Sequence, residues 1–325
     1  MTRKLDLLKE LIASEIKEQE YGTDPVELYE PIQYIMALGG KRLRPLLTLI
    51  AYSLYKNKPE KIIRQALAME VFHNFTLMHD DIMDEAPLRR GQPTVHEKWN
   101  KNTAILSGDV MLVKAYDLML ETDEKYLQAS LKLFNKCASE VCEGQQMDML
   151  FECRESVSET EYLDMIRLKT AVLLGTSLRM GALLAGANKV NQKSLYSFGV
   201  NIGMGFQLKD DLLDVYADKE KFGKQVGGDI IANKKTFLLI KAQELANTQQ
   251  QQELNRWLCA QDFDGEEKVV AVTKLYDQLD IKALAEQKMN DYFNAGFSAL
   301  KKVDAPLQKR SVLREFAESL IVRES

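Results

Sequence analysis

The sequence predicts an all-α protein, a helical bundle, and three observations carry that prediction. Six of the seven prolines lie at or before Pro93 and the seventh is Pro306, so more than two hundred consecutive residues contain nothing that must break a helix. Within them Leu, Ala, Met, Lys and Glu recur at three- and four-residue intervals, as in GDVMLVKAYDLML. Alternating β-branched runs bounded by turn pairs are missing. A bundle of helices of roughly 15–25 residues follows.

The first element, MTRKLDLLKELIASEIKEQ, reads as an amphipathic helix, because its Leu and Ile fall at helical spacing. Asp6, Lys9 and Glu10 interrupt any signal-peptide core. Breaks are expected where Gly, Pro, Asn and Asp gather: at 55–61, 85–93, 186–189, 218–229 and 260–267. TQQQQE at 248–253 is a solvated helix end rather than a functional tract. No repeat of fixed period is present. At 325 residues, one large domain or two small ones both fit.

Composition excludes several classes. Hydrophobic residues make up 46% and charged residues 28%, as in globular proteins. A net charge of −5 counts against a general nucleic-acid binder. The four cysteines, Cys137, Cys142, Cys153 and Cys259, form no C-x-x-C pair and read as free thiols of a reduced compartment. No run approaches the ~18 apolar residues of a membrane span. A cytoplasmic protein is expected.

One motif appears twice. LMHDDIMDEA holds Asp80, Asp81 and Asp84, and FQLKDDLLDVY holds Asp210, Asp211 and Asp214, both as D-D-x-x-D. On a helix the three carboxylates of each copy fall at about 0°, 100° and 40°, on one face within a turn. Three anions on one face repel and call for cations. Oxygen-only donors suit Mg²⁺ or Ca²⁺, and the spacing is wrong for an EF-hand loop. Mg²⁺ takes few carboxylates and shares substrate phosphates. Two such clusters facing each other across a bundle would form the jaws of a magnesium–diphosphate clamp. A solvated helix face is the plainer reading of one copy; two copies, each flanked by apolar residues, weaken it.

Basic residues add to the pattern. Lys41, Arg42 and Arg44 follow Gly39–Gly40, where glycine lets backbone approach a ligand closely. Arginine can hold phosphate bidentately and lysine adds a point charge. His73 lies seven residues before Asp80, about 20° away on the wheel and two turns below it. Arg89 and Arg90 sit on the loop leaving the first cluster. No Ser-His-Asp or Cys-His signature is present.

With these residues in place the chain resembles the trans-isoprenyl diphosphate synthases, the farnesyl/geranylgeranyl diphosphate synthase (polyprenyl synthetase) family. The ordered matches are GGKRLRP at 39–45, E-x-x-H at 70–73, HDDIMD at 79–84, RRGQPT at 89–94 and LSGD at 106–109. They continue with GQQMD at 144–148, KTA at 169–171, FQLKDDLLD at 206–214 and a lysine-rich stretch at 219–236. The likeness runs from about residue 30 to 240. Each motif alone is weak, and the ordered set is specific.

The resemblance implies a single isoprenoid-synthase-type helical domain over 1–325, with a central cavity. It implies a Mg²⁺-dependent prenyltransferase that joins isopentenyl diphosphate head-to-tail to an allylic diphosphate: dimethylallyl, geranyl or farnesyl. Lys41, Arg44, His73 and Arg90 would hold isopentenyl diphosphate. Three Mg²⁺ would bridge the allylic diphosphate to Asp80 and Asp84, with Asp81 supporting, and to Asp210, with Asp211 and Asp214 supporting through water. Arg89, Lys169, Thr170, Gln207, Lys224 and Lys234 would contact that diphosphate directly. The family usually shows E-G-K-x-T near the last position and this chain reads ANKKT at 232–236, so Lys235 stands beside Lys234 as a candidate. Gln145 and Asp148 would border the allylic pocket. Thr170 and Gln207 carry oxygens that could steady the allylic cation. The family also suggests a homodimer.

Product length would be set by the bulky residue five positions before the first aspartate, here Phe75, with Thr76 beside it and Phe72 three residues earlier. The wheel alone places Phe75 away from the aspartate face, as core. With the resemblance a short product, C15 or C20, is expected, leaning to C20. Two other readings stand. A class I terpene cyclase needs one D-D-x-x-D and no isopentenyl pocket, so the second cluster and Lys41, Arg44 and Arg90 count against it. A non-catalytic partner subunit would be expected to have lost carboxylates or basic contacts that this chain retains.

Overall fold

The computed structural model describes residues 2–217 and 227–321. It is helical almost throughout, as the proline distribution predicts. The expected breaks at 55–61, 186–189 and 260–267 are all found, while most of 218–229, with Lys224, lies outside the described residues. TQQQQE opens the helix Thr248–Cys259, capped by Asn247 and Gln250 in a reciprocal box. Two helices exceed the expected length: α7, Glu124–Glu152, has 29 residues, and α10, Lys189–Tyr216, has 28.

The chain forms two compact units interleaved along the sequence. The first comprises residues 1–137, 173–196 and 303–313. Here α1 (Thr2–Glu18), α2 (Val26–Ala37) and α3 (Leu43–Ser53) precede α4 (Ile63–Met83), which packs along α6 (Lys101–Leu120). Helix α4 is apolar nearly all round, so it is buried on most sides, from Gln65 to Asp81. Its C-terminal cap is Asp84, followed by a two-residue ladder, β1 (Leu88–Arg89) against β2 (Gln92–Pro93). This tight hairpin occupies the break expected at 85–93.

The second unit comprises residues 138–172, 197–302 and 314–325. Helix α8 (Glu159–Ile166) runs into a π-helical turn, Arg167–Ala171, that the sequence does not announce. Two glycines bring neighbouring helices hard against that turn. A Cβ at Gly144 of α7 would lie 2.2 Å from the Lys169 backbone nitrogen, and one at Gly203 of α10 would lie 2.7 Å from Ala171 Cα. No larger residue allows these approaches. The π-turn carries Lys169 and Thr170. Among the described residues, no helix is long and apolar enough to cross a membrane.

Candidate active site

In the first unit the glycine pair opens a basic floor. Gly39 and Gly40 adopt φ of +79° and +118°, a region favourable to glycine, and Arg42 follows at +47°. A Cβ on Gly40 would meet the Arg90 guanidinium at 2.8 Å, so the missing side chain makes room for that cation. Arg90 donates to the Gly39 carbonyl. Arg42 and Arg44, alike in sequence, differ in role. Arg42 donates to Glu70 Oε1 at 2.7 Å and to the Met36 carbonyl, which uses it to neutralise a buried carboxylate. Arg44 Nε is buried and has no hydrogen-bond partner among the described residues. Burial pulls the Arg44 guanidinium down to about 10, partly opposed by Glu70. Burial first, then Arg44, Arg90, Arg89 and Arg42, holds His73 well below the ordinary imidazole range. His73 is therefore neutral beside three or more guanidinium groups. Lys41 is exposed.

The three aspartates of the first cluster sit in unlike surroundings. Asp81 is buried and receives Arg89 bidentately, with distances of 2.6–2.9 Å. Burial still raises its carboxyl, and the Arg89 pair offsets only part of that. Arg89, assigned above to the diphosphate, thus spends its fork on Asp81. Asp80 is half-buried and Asp84 exposed.

Phe75 is buried within a run of stacked aromatic rings. Its ring meets Phe72 at 5.8 Å and His79 at 4.8 Å; Phe72 meets Phe134 at 5.2 Å, and Phe134 meets Tyr116 at 5.1 Å. Thr76 turns its hydroxyl to the His73 carbonyl at 2.8 Å.

The second unit holds a cavity of about 230 Å³ lined by acids and lysines together: Asp148, Asp210, Asp211, Asp214 and Asp229 with Lys169, Lys234 and Lys235, plus Thr170 and Gln207. Helix α10 supplies Gln207 and the three aspartates, and the π-turn supplies Lys169 and Thr170. Lys169 donates to Asp148 Oδ2 at 2.6 Å. Thr170 Oγ1 donates to Gln207 Oε1 at 3.1 Å, and Gln207 Nε2 donates to Asp211 Oδ1 at 3.2 Å. The buried Tyr162 hydroxyl donates to Asp211 Oδ2. Asp214 Oδ2 accepts the Asp229 N–H at 2.9 Å. Gln145, one turn before Asp148 on α7, is half-buried.

The electrostatics are those of a site with surplus negative charge. Burial, then Asp229, pushes Asp211 up to about 7 and Asp214 up to about 6. Lys234 counters both. Lys235 also lines the cavity, and its amine is lowered by burial. All the acidic donors here are oxygens, and a hard divalent cation would offset the burial and mutual repulsion that raise these carboxyls. Among the described residues no three acidic, His or Cys side chains converge tightly enough to hold an ion alone.

Sequence reasoning missed Tyr162, Asp229 and the pairing of Arg42 with Glu70. Glu70 lay inside a quoted motif and Asp229 follows a Gly-Gly pair, while Tyr162 has no sequence signal at all.

Comparison with known proteins gives the family and the fold. A model of the polyprenyl synthetase family matches residues 25–276. A geranylgeranyl pyrophosphate synthase of Geoglobus acetivorans is 45% identical over 241 residues, covering 73% of this chain and 74% of its own. A geranylfarnesyl diphosphate synthase of Natronomonas pharaonis is 37% identical over 255 residues, 73% of this chain and 74% of its own. The crystal structure of a geranylgeranyl pyrophosphate synthase superposes with a TM-score of 0.94 at 42% identity, covering 99% of both chains.

Proposed function

Because the chain belongs to the polyprenyl synthetase family, we propose that it condenses isopentenyl diphosphate with an allylic diphosphate, giving a short all-trans prenyl diphosphate and diphosphate. The carrying observation is the second unit's cavity, where lysines and carboxylates alternate around Thr170 and Gln207.

In this reading Lys169 and Lys234 bind the allylic diphosphate, with Lys235 and Lys224 as further candidates. Asp210 leads the metal ligands of that unit. Asp211, tied to Tyr162 and Gln207, and Asp214, tied to Asp229, support it. Asp80 and Asp84 lead in the first unit, with Asp81 held by Arg89. Mg²⁺, three ions per site by the family resemblance, would neutralise charge building on the leaving diphosphate.

The residues account for each step. Cationic side chains stabilise the diphosphate as the allylic C–O bond breaks and the allylic carbon becomes a cation. The Thr170 and Gln207 oxygens turn their dipoles toward that charge and steady it. Arg44, with its unmatched Nε, takes the isopentenyl diphosphate together with Lys41 and Arg90, and neutral His73 donates a hydrogen bond. The isopentenyl double bond attacks the cation, forming the new C–C bond. A proton then leaves the adjacent carbon for the departing diphosphate, restoring a double bond. Apolar walls keep out water that would quench the cation.

Residues 1–325 serve as one synthase domain. Phe75, backed by Phe72 and flanked by Thr76, limits the product to C15 or C20, and the geranylgeranyl relatives favour C20. A homodimer is supported by Leu106, Val113 and Leu120 on α6, spaced seven apart and 58%, 58% and 56% exposed. The free thiols support a reducing, cytoplasmic setting.

The test is product analysis by mass spectrometry, with Mg²⁺, isopentenyl diphosphate and dimethylallyl diphosphate. A ladder ending at C15 or C20, abolished by chelation, is expected. Cyclic hydrocarbon from an allylic diphosphate alone would point to a cyclase, and magnesium-dependent binding without turnover to a non-catalytic partner.

A further inference from the structure

Among the described residues of the second unit, Lys268 is the most completely buried charge. Its residue exposure is 0%, and it lies on the helix Gly265–Gln278. Among the described residues no carboxylate pairs with it; burial alone lowers its amine. Lysine is almost never buried without a partner, because taking an ammonium out of water is costly. The surrounding Val215, Leu239, Leu258 and Val272 would accept a methionine of the same length more cheaply.

What the ammonium does is hold one loop. Nζ donates to the Ile231 carbonyl at 3.2 Å and to Asn233 Oδ1 at 2.7 Å, and lies 4.2 Å from the Phe263 ring centre. The Ile231 carbonyl ends the short helix Gly228–Ile231. Asn233 holds φ at +54° and ties its Nδ2 to the Leu258 carbonyl at 3.0 Å. On either side of these anchors stand Asp229 and Lys234, both lining the acid–lysine cavity, with the Lys234 N–H donating to the Asp229 carbonyl at 2.9 Å. The Asp229 N–H in turn donates to Asp214. Hydrogen bonds and the short stretch of backbone between them therefore link Lys268, through Asn233 and Lys234, to Asp229 and the second aspartate cluster.

We infer that Lys268 is a positioning residue for the allylic diphosphate pocket, a buried cation that sets the 228–236 loop so that Asp229 and Lys234 meet the diphosphate and its metal. The inference rests on the proposed function of that cavity. It is not a ligand itself, since its three N–H groups are directed to the loop and the Phe263 ring.

The test compares wild type with Lys268→Met and with Asn233→Gly, which accepts the positive φ and removes the Oδ1 acceptor together with the Nδ2 bond to Leu258. Steady-state kinetics should show KM for dimethylallyl diphosphate raised about tenfold and KM for isopentenyl diphosphate within about twofold, the size expected for losing a charged hydrogen bond at one substrate only. Amide hydrogen exchange should speed at Asp229 and Lys234 in both variants, with the rest of the unit unchanged. Equal effects on both substrates, or unchanged exchange in the loop with only a lower Tm, would show Lys268 to be a stability residue and overturn the inference. If wild type itself makes no condensation product, the proposed function fails, and the exchange experiment still decides whether Lys268 sets the loop. If Lys268→Met does not fold, Asn233→Gly carries the same comparison.

Discussion

Arg42 and Arg44 are two residues apart, and their substitution should separate stability from binding. Arg42→Met strands Glu70, whose side chain is 2% exposed, so the fold should lose about 3 kcal/mol in chemical denaturation. Arg44→Met removes a guanidinium whose Nε has no partner among the described residues. It should melt near wild type while KM for isopentenyl diphosphate rises about tenfold or more. His73 gives a pH signature. Its folded pKa is lowered, so the unfolded chain binds the extra proton, and stability falls as pH drops below about 6.5. Tm measured between about pH 7 and pH 5 should therefore fall less steeply for His73→Gln. At the aspartates, Asp80→Ala and Asp210→Ala should each cut turnover by about a thousandfold or more with the circular dichroism of helix intact; an active or an unfolded variant would contradict their placement. What the sequence showed at this scale was charge type and spacing. It could not show that Arg89 is taken by Asp81 or Arg42 by Glu70, because partner choice depends on which carboxylate is buried nearby.

The informative element is the π-turn Arg167–Ala171. Lys-Thr-Ala reads as ordinary helix, and nothing in its propensities marks an extra residue per turn. What marks it in the structure lies in other helices, at Gly144 and Gly203, which press closely on it. Gly144→Ala should therefore act on Lys169, whose backbone nitrogen lies 2.2 Å from the added methyl position. Helix content should persist while kcat falls about a hundredfold, the size of a misplaced binding group. By contrast α1, the solvated helix end at 248–253 and the breaks near 58, 187 and 263 were legible, because periodicity, polar bias and Gly/Asn/Asp clusters are local signals. The β1–β2 hairpin occupies a stretch that the sequence marked only as a break.

For the molecule as a whole, the ordered motifs made fold class and chemistry readable, since a diphosphate clamp needs the same charged groups wherever it is built. Contacts assembled from distant positions were not readable. Tyr162 reaches Asp211 across 49 residues and Lys268 reaches Asn233 across 35. Product length is also a property of the whole, because it measures how far an apolar tail can run. Phe75→Ala opens the aromatic stack at its contact with Phe72 and His79. Mass spectrometry should then show products longer than those of wild type; an unchanged ladder would place the floor elsewhere.

The π-turn has one more consequence. A π-turn holds one residue more than the α-helix around it, and each residue advances the helix by about 100°. Deleting a single residue there is thus a phase error rather than a shortening. It would swing Lys169 and Thr170 away from Asp148 and Gln207 even if every side chain survived. Length at this point is under tighter constraint than identity, and indels between Ile166 and Val172 should be far less tolerated than substitutions at Arg167 or Leu168.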